Sequence, residues 1–248
     1  MLRLGLLVCD HLPPEFRSIS GDYPALFTRL FEGHPHIELV FYDLPAGQFP
    51  DSPADCDAWM GTGSRASVND DEEWIERFAG LVREIRSADS PFAGICFGHQ
   101  MMAHALGGKV ERSDNGWGVG LKEVVLPDPP SWLNRRSYRV LNSHQDQITA
   151  LPPSGVVLGG NDHCANSLMQ VGATMIGIQG HPEFTPALSE ALIRSRRGTL
   201  IPDEVADAAL GSLATPPDTA ALADAIVAFL ALSREKSYRS VRSTMPRT

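Results

Sequence analysis

The sequence lacks the features that mark several large protein classes. Its four cysteines are widely spaced and form no Cys-x-x-Cys pair, which argues against a disulfide framework or zinc knuckle and predicts reduced thiols. A formal net charge of −9 argues against non-specific nucleic-acid binding. No apolar run approaches the roughly 18 residues that a membrane-spanning helix needs. The N-terminus lacks the basic start and cleavage site of a signal peptide. We therefore expect a cytoplasmic protein with no nucleic-acid or membrane partner.

The composition is that of an ordinary globular protein. Along the first half of the chain, apolar segments typical of strands alternate with amphipathic segments typical of helices. Residues 11–20, which contain Pro13 and Pro14, are expected to form a loop. The expected strands and helices are strands 2–10, 37–42, 58–60 and 92–95 and helices 22–31 and 70–87. Such alternation predicts a mostly parallel sheet with helices on both faces and a site at the carboxyl ends of its strands.

From residue 107 onward, short strands separated by Gly, Pro and Asn turns predict a smaller antiparallel extension. The expected strands are 109–112, 120–126, 139–141, 156–159, 168–171 and 175–179. Helices are expected again at 186–196, 203–213 and 219–232. The predicted fold class is therefore α/β.

The domain organisation follows from the same pass along the chain. We expect a catalytic domain over residues 1–200 and a helical appendage over residues 201–232 that packs on the same domain. Residues 233–248 carry five basic side chains and one acidic one, which predicts a flexible basic tail.

One segment, residues 92–100, reads Phe-Ala-Gly-Ile-Cys-Phe-Gly-His-Gln and ends an apolar run at Cys96, between Gly94 and Gly98. A strand that turns directly into a helix has room for little beyond hydrogen beside the turning residue, so this spacing predicts a nucleophile on a tight turn. A helix beginning at Phe97 or Gly98 would favour the thiolate through its N-terminal dipole and would aim the Phe97 N–H at a developing oxyanion.

A cysteine nucleophile needs a base, and the base needs an orienting acceptor. His181 and Glu183 offer both, since an extended backbone puts residues i and i+2 on the same side and Pro182 stiffens that spacing. Glu183 can then bond one imidazole nitrogen while the other faces Cys96.

The oxyanion needs a second N–H donor besides Phe97. The loop Gly61-Thr62-Gly63 follows the strand before the cysteine strand, and adjacent parallel strands bring their following loops together. We expect one amide of this loop to serve, with the choice among the three left open.

Four segments together resemble the class I glutamine amidotransferase family in their order and spacing. They are residues 94–100, the loop 61–64, Ser-His-Gln-Asp at 143–146 and Gln-Gly-His-Pro-Glu-Phe at 179–184. The resemblance implies a flavodoxin-like three-layer fold and a triad of Cys96, His181 and Glu183. In this family such a triad cleaves the γ-amide of glutamine through a γ-glutamyl thioester, without a cofactor.

The same resemblance implies the substrate contacts. Gln100 and the backbone around Ser143 and His144 would hold the amino-acid end of the substrate, with Ser64 beside it. His99 and His104 lie close to the cysteine in sequence, but helical spacing puts His104 on another face, so no metal site is expected.

Within the family, the sequence looks most like the stand-alone members. These are often labelled after the glutaminase domain of GMP synthase and include the plant γ-glutamyl peptidases. Biosynthetic members usually carry Gly-Gly-Pro or Gly-Pro-Gly where this chain has Gly61-Thr-Gly63. The chain has no Gly-x-x-x-x-Gly-Lys phosphate loop, so a synthetase that used its ammonia would be a separate chain.

The predicted function is hydrolysis of a small-molecule γ-glutamyl amide by a free-standing cysteine enzyme. A γ-glutamyl peptidase acting on glutathione-like compounds and a glutaminase that is activated by a separate synthetase remain alternatives. A cysteine α/β-hydrolase is disfavoured because its acid precedes the histidine on a separate loop. Residues 11–20 and 111–120 are expected to decide which amine leaves.

Overall fold

The computed structural model describes the backbone of residues 1–244 and the side chains of residues 1–235. The strands are β1 (Leu2–Val8), β2 (Ile37–Asp43), β3 (Ala58–Gly61), β4 (Phe92–Ile95), β5 (Lys109–Arg112), β6 (Gly118–Val125), β7 (Ser137–His144), β8 (Asp146–Ala150), β9 (Gly155–Gly159), β10 (Leu168–Val171) and β11 (Met175–Ile178). The helices are α1 (Pro14–Ser20), α2 (Tyr23–Leu30), α3 (Glu73–Ser87), α4 (Phe97–Ala105), α5 (Pro186–Arg196), α6 (Asp203–Ser212) and α7 (Thr219–Thr244).

A seven-stranded sheet in the order β2-β1-β3-β4-β11-β10-β9 forms the centre of the molecule. Its first five strands in this order run parallel, and β10 and β9 are added antiparallel. Two antiparallel ribbons, β5 with β8 and β6 with β7, extend the fold beyond the sheet. The predicted α/β fold with a mostly parallel sheet and an antiparallel extension is confirmed.

Helices cover both faces of the sheet, because successive side chains of a strand point to opposite sides. Leu6 and Met60 pack into one hydrophobic cluster with α2, α5 and α7. Leu7 and Trp59, one residue along each strand, pack into a second cluster with α3 and α4. The core therefore has two layers with the sheet between them.

Two elements, α1 and β8, were not expected from the sequence. Helix α1 occupies most of the segment 11–20, which was expected to be a loop. Pro14 stands at its first position, where a missing N–H costs nothing, and Glu15 complements the helix dipole in the first turn. Strand β8 was not expected, because its five residues acquire their pairing only from β5 across the ribbon.

The last helix is built into the main core. Leu222, Ile226 and Phe229 of α7 are buried in the cluster that contains the first strand. The predicted helix end at residue 232 is wrong, because α7 continues to Thr244. The domain boundary at residue 200 stays a prediction.

The predicted flexible tail over residues 233–248 begins too early. Ser233 is buried, and its hydroxyl donates a hydrogen bond to the Ala173 carbonyl at 3.2 Å. Arg234 lies 2.7 Å from a carboxylate oxygen of Asp57. The side chains from residue 236 onward, and residues 245–248 entirely, lie outside the described residues.

Two further observations bear on the sequence analysis. All four cysteines are free and buried. Among the described residues, none of the helices combines the length and the apolar character that crossing a lipid bilayer requires.

Candidate active site

Cys96 stands between β4 and α4 in a backbone conformation that side-chain-bearing residues seldom adopt. Its φ of 48° and ψ of −100° lie in a region that favours glycine. The flanking glycines make the turn possible. A Cβ on Gly94 would overlap the backbone of Gly98, and a Cβ on Gly98 would lie 2.5 Å from the carbonyl oxygen of Gly61. The expected cysteine on a tight strand-to-helix turn is therefore what the chain forms.

The histidine lies beside this turn because its strand is the neighbour of the cysteine strand. β11 runs parallel to β4, and the Cys96 N–H donates to the carbonyl of Ile178, the last residue of β11. The His181 N–H is held by the Leu141 carbonyl at 2.7 Å. Its Nδ1 lies 2.8 Å from Oε1 of Glu183, and both side chains are buried. The structure thus brings together Cys96, His181 and Glu183.

The electrostatics of this group favour a protonated imidazole. Burial alone would lower the pKa of His181, but the charges of Glu183 and then of Cys96 outweigh it and raise this pKa above its usual range. The imidazole ring also stacks on Phe184 at a centroid distance of 4.0 Å. The site can therefore hold a protonated His181 between the side chains of Glu183 and Cys96.

The loop after β3 narrows the choice of oxyanion donors. The Thr62 N–H already donates to the Leu7 carbonyl at 3.1 Å, so this amide is not available as an oxyanion donor. The Thr62 hydroxyl is also used, because it accepts a hydrogen bond from the Cys9 N–H at 2.9 Å. The Thr62 amide and hydroxyl are therefore both engaged by the chain at the end of β1 and just after it.

The neighbouring amides differ in what they face. Gly61 belongs to β3 and lies between β1 and β4 in the sheet. A Cβ on Gly63 would lie 2.6 Å from Cε1 of His181, so Gly63 borders the imidazole. The N–H groups of Gly63 and Phe97 have no hydrogen-bond acceptor within the described part of the chain. These two amides are the pair free to bind an anion.

A glutamine that sequence reasoning missed contacts the cysteine. The side-chain amide of Gln179 donates to the Cys96 sulfur at 3.6 Å. Gln100, expected to contact substrate, donates to the Gln179 side-chain oxygen at 3.2 Å and to the Asp146 carbonyl at 2.8 Å. The position of Gln179, at the end of the strand that leads to His181, was the available signal.

A cavity of about 480 Å³ opens above Cys96. Its wall includes Ser64, Gln100, Ser143 and His144, the four residues expected to contact substrate. The residues 61–63, Phe97 and Glu183 do not belong to the wall. The structure therefore divides the expected site residues into a lining and a support behind it.

The other histidines of the site have separate surroundings. His99 is fully buried and bonds the Asn166 carbonyl at 3.0 Å, whereas His104 is exposed, so the two do not share a face. Burial, followed by the charge of His163, lowers the pKa of His144 to about 3. His144 is both buried and part of the cavity wall.

The outer wall of the cavity comes from the two segments expected to select the leaving amine. Phe16 is a wall residue from segment 11–20, and Arg112 and Trp117 are wall residues from segment 111–120. Leu200 and Arg196, which sequence reasoning did not consider, complete this side. Their distance in sequence from every motif explains why they were missed.

A family model and two curated relatives show which family the chain resembles. The family model described as glutamine amidotransferase class-I matches residues 61–196, more than half of the chain. Gamma-glutamyl peptidase 5 of Arabidopsis thaliana is 30% identical over 222 residues, which cover 85% of this chain and 88% of that protein. A glutamine-hydrolyzing GMP synthase component of Halobacterium salinarum is 29% identical over 169 residues, 66% of this chain and 84% of that one.

Solved structures show the same fold. A glutamine amidotransferase from Thermotoga maritima has a TM-score of 0.71 at 19% identity, and the alignment covers 94% of this chain and 97% of that one. A glutamine amidotransferase from Methylobacillus flagellatus has a TM-score of 0.69 over 95% of this chain and 94% of that one, also at 19% identity. Because the family model matches more than half of the chain and a curated relative is 30% identical over most of both lengths, the chain belongs to the class-I glutamine amidotransferase family.

Proposed function

We propose that this chain is a cysteine hydrolase that cleaves γ-glutamyl amides. The observation that carries the proposal is the placement of Cys96 on a strained turn beside the buried His181–Glu183 pair, which lies 2.8 Å apart. A nucleophile, a base within its reach and an acceptor that orients the base form the arrangement that acyl transfer requires. The names of the γ-glutamyl peptidase and GMP synthase relatives support a γ-glutamyl substrate.

The proposed reaction begins with the Cys96 proton on His181, the state that the raised pKa of the imidazole favours. Because Nδ1 of the imidazole is engaged by Glu183, Nε2 is the atom that exchanges the proton. The thiolate attacks the γ-carbonyl carbon and forms a tetrahedral oxyanion, which the Gly63 and Phe97 N–H groups stabilise. The imidazolium then protonates the leaving nitrogen, the C–N bond breaks, and a γ-glutamyl thioester remains on Cys96.

Water completes the cycle. His181 removes a proton from the water as its oxygen attacks the thioester carbonyl, and the C–S bond breaks to release glutamate and restore the cysteine. Glu183 holds the imidazole in one tautomer throughout. Gln179, by donating to the sulfur, holds Sγ in one position between these steps.

The proposal is tested by covalent labelling and turnover. A diazoketone analogue of glutamine should form one adduct on Cys96, detected by mass spectrometry of the folded, reduced protein. Cys96→Ala should form none, whereas Cys164→Ala, which changes another buried cysteine, should label like the wild type. Absence of an adduct in the wild type would count against the proposal.

A second candidate is a glutaminase that depends on a separate synthetase. The similarity to the GMP synthase component supports it. In that case glutamine turnover would appear only when the synthetase is added, while labelling of Cys96 would be weak without it. Turnover of γ-glutamyl compounds by the isolated chain would favour the independent hydrolase.

A further inference from the structure

Arg196 brings a positive charge to the cavity wall without a carboxylate beside it. It is the last residue of α5, and its Nη1 donates to the Ser143 hydroxyl at 2.8 Å. Its guanidinium carbon lies 5.4 Å from the centre of the Trp117 ring. Within the described residues, these contacts with a neutral hydroxyl and an aromatic face involve no acidic group. The guanidinium is therefore held in place without a hydrogen-bonded carboxylate, and Asp10 acts on its charge only at longer range.

The other arginines of the cavity wall are different. Arg65 forms a two-pronged pair with Asp10, with a closest distance of 2.8 Å. Arg112 lies 3.7 Å from a carboxylate oxygen of Asp146. Arg196 alone among the three faces the cavity without such a partner in the described part of the chain. An anion that enters the cavity has this guanidinium free to receive it.

Partial burial raises the free energy of the unpaired charge on Arg196. Burial lowers the pKa of Arg196, because fewer water molecules solvate the guanidinium than in solution. A desolvated cation regains free energy when an anion supplies charge-assisted hydrogen bonds. The planar guanidinium, already held by Ser143 and Trp117, presents its remaining N–H donors in a geometry that suits a carboxylate.

Two parts of the cavity wall suit different parts of a substrate. An amino-acid head carries both charges and therefore suits a wall of both signs, which Arg112 and Asp146 provide next to Gln100. Arg196 contacts the side chain of Ser143, whereas the expected contact with the amino-acid head is through the backbone. Two apolar wall residues flank Arg196 in the chain: Leu192 lies one helical turn before it, and the Leu200 N–H donates to the Arg196 carbonyl at 2.9 Å. A largely apolar group with one negative charge fits this part of the wall.

We propose that Arg196 binds a carboxylate on the leaving amine. The preferred substrates are then γ-glutamyl amino acids and short γ-glutamyl peptides whose carboxylate is free, in preference to glutamine. This inference rests on the proposed function, because it assigns the part of the substrate that leaves Cys96. It makes Arg196 a specificity-determining residue, distinct from the groups that perform the chemistry.

The experiment compares kcat/KM for three substrates: a γ-glutamyl dipeptide, the same compound with its terminal carboxylate converted to a carboxamide, and glutamine. The wild type should prefer the acid over the carboxamide by about 10- to 100-fold, the effect of a hydrogen bond to a charged group. In Arg196→Gln this ratio should fall to about one. Arg196→Lys, which keeps the charge but not the fork, should give an intermediate ratio.

Arg194→Gln is the matched control. Arg194 lies on the same helix but is exposed and paired with Glu190 at 2.8 Å, so its loss should leave the acid-to-carboxamide ratio of the wild type. The carboxamide rate measured on each variant also reports whether the protein is folded and active, independently of the carboxylate.

Three outcomes would overturn the inference. A wild-type ratio near one would refute it while leaving the proposed function intact, because the carboxamide and glutamine would still be cleaved. A ratio that Arg196→Gln does not change, or a loss of the same size on glutamine, would also refute it. Failure of the wild type to cleave any γ-glutamyl substrate or to label at Cys96 would instead end both proposals.

Discussion

Two buried histidines border the same cavity from different strands, and their electrostatics are opposite. His181 follows β11 and has a carboxylate oxygen of Glu183 at 2.8 Å, so its pKa is raised although burial opposes this. His144 ends β7, and its Nδ1 has no hydrogen-bond partner among the described residues. The His144 ring meets that of His163 edge-on at a centroid distance of 5.8 Å, and its pKa is lowered to about 3. A neighbouring carboxylate, rather than depth in the protein, decides which of the two holds a proton.

The strongest way to break this contrast is to make His181 resemble His144. Glu183→Gln removes the charge and leaves an amide that can hold the wrong tautomer, so kcat/KM for γ-glutamyl substrates should fall by a factor on the order of 10⁴. The pKa of His181 should also fall, which moves the alkaline limb of the pH–rate profile to lower pH. Steady-state rates across pH measure both effects.

The control for that experiment is Glu190→Gln, which changes an exposed glutamate on α5 and should leave the profile unchanged. An alkaline limb that stays in place in Glu183→Gln would mean that the carboxylate does not set the charge of His181.

A second experiment sharpens the contrast through stability. Since the pKa of His144 lies below the unfolded value of 6.5, the unfolded chain binds more protons, and stability should fall as pH drops below about 6.5. His99, whose burial lowers its pKa to about 4, acts in the same direction. His144→Gln should reduce this loss by up to about 1.4 kcal/mol per pH unit. Urea unfolding at pH 7.5 and pH 5 measures the difference.

His104→Gln, which makes the same substitution at an exposed histidine, is the matched control. The opposite sign applies to His181. Its raised pKa contributes stability that is present below the unfolded value and is lost as pH rises through the folded value. Equal acid sensitivity of His144→Gln and the wild type would show that folding does not lower the pKa of His144.

The smallest effect is expected at a third histidine, outside the group of Cys96, His181 and Glu183. His11 bonds Asp22 at 2.7 Å and Asp43 at 2.8 Å, and these partners raise its pKa although burial lowers it. Because the side chain is 37% exposed, His11→Asn should cost less than about 1 kcal/mol of unfolding free energy. The cost should be larger at pH 5.5 than at pH 9, since the raised pKa stabilises the fold only while the imidazole is charged. Thermal unfolding at the two pH values measures this cost. A larger cost at pH 9 would contradict the raised pKa of His11.

The parts of the site that sequence predicts are those encoded within a few residues. The spacing of Gly94, Cys96 and Gly98 specifies a local turn, because only hydrogen fits where the helix meets the strand. His181 and Glu183 are separated by one residue, so an extended backbone alone places both on one side. The parallel sheet is likewise predicted from the sequence, because short apolar strand segments alternate with segments that show the 3.6-residue period of an amphipathic helix.

The parts that sequence does not predict depend on neighbours that are distant in the chain. Thr62 loses its amide to Leu7 because β3 lies beside β1, and no local pattern contains that strand order. Gln179 contacts the cysteine sulfur because β11, which it follows, lies beside β4 in the sheet. Arg196 enters the cavity wall because the end of α5 packs against β7, where Ser143 holds it. Such residues carry no signal until the fold has brought their elements together.

The backbone of Cys96 has a consequence for how the protein can change over time. A φ of 48° on a residue with a side chain costs on the order of 1 to 3 kcal/mol, and every folded molecule carries this cost whether or not substrate is present. Glycine would relieve the strain, so replacement by glycine should give a more stable protein than replacement by alanine, the reverse of the usual order. Stability alone therefore favours glycine over cysteine at this position.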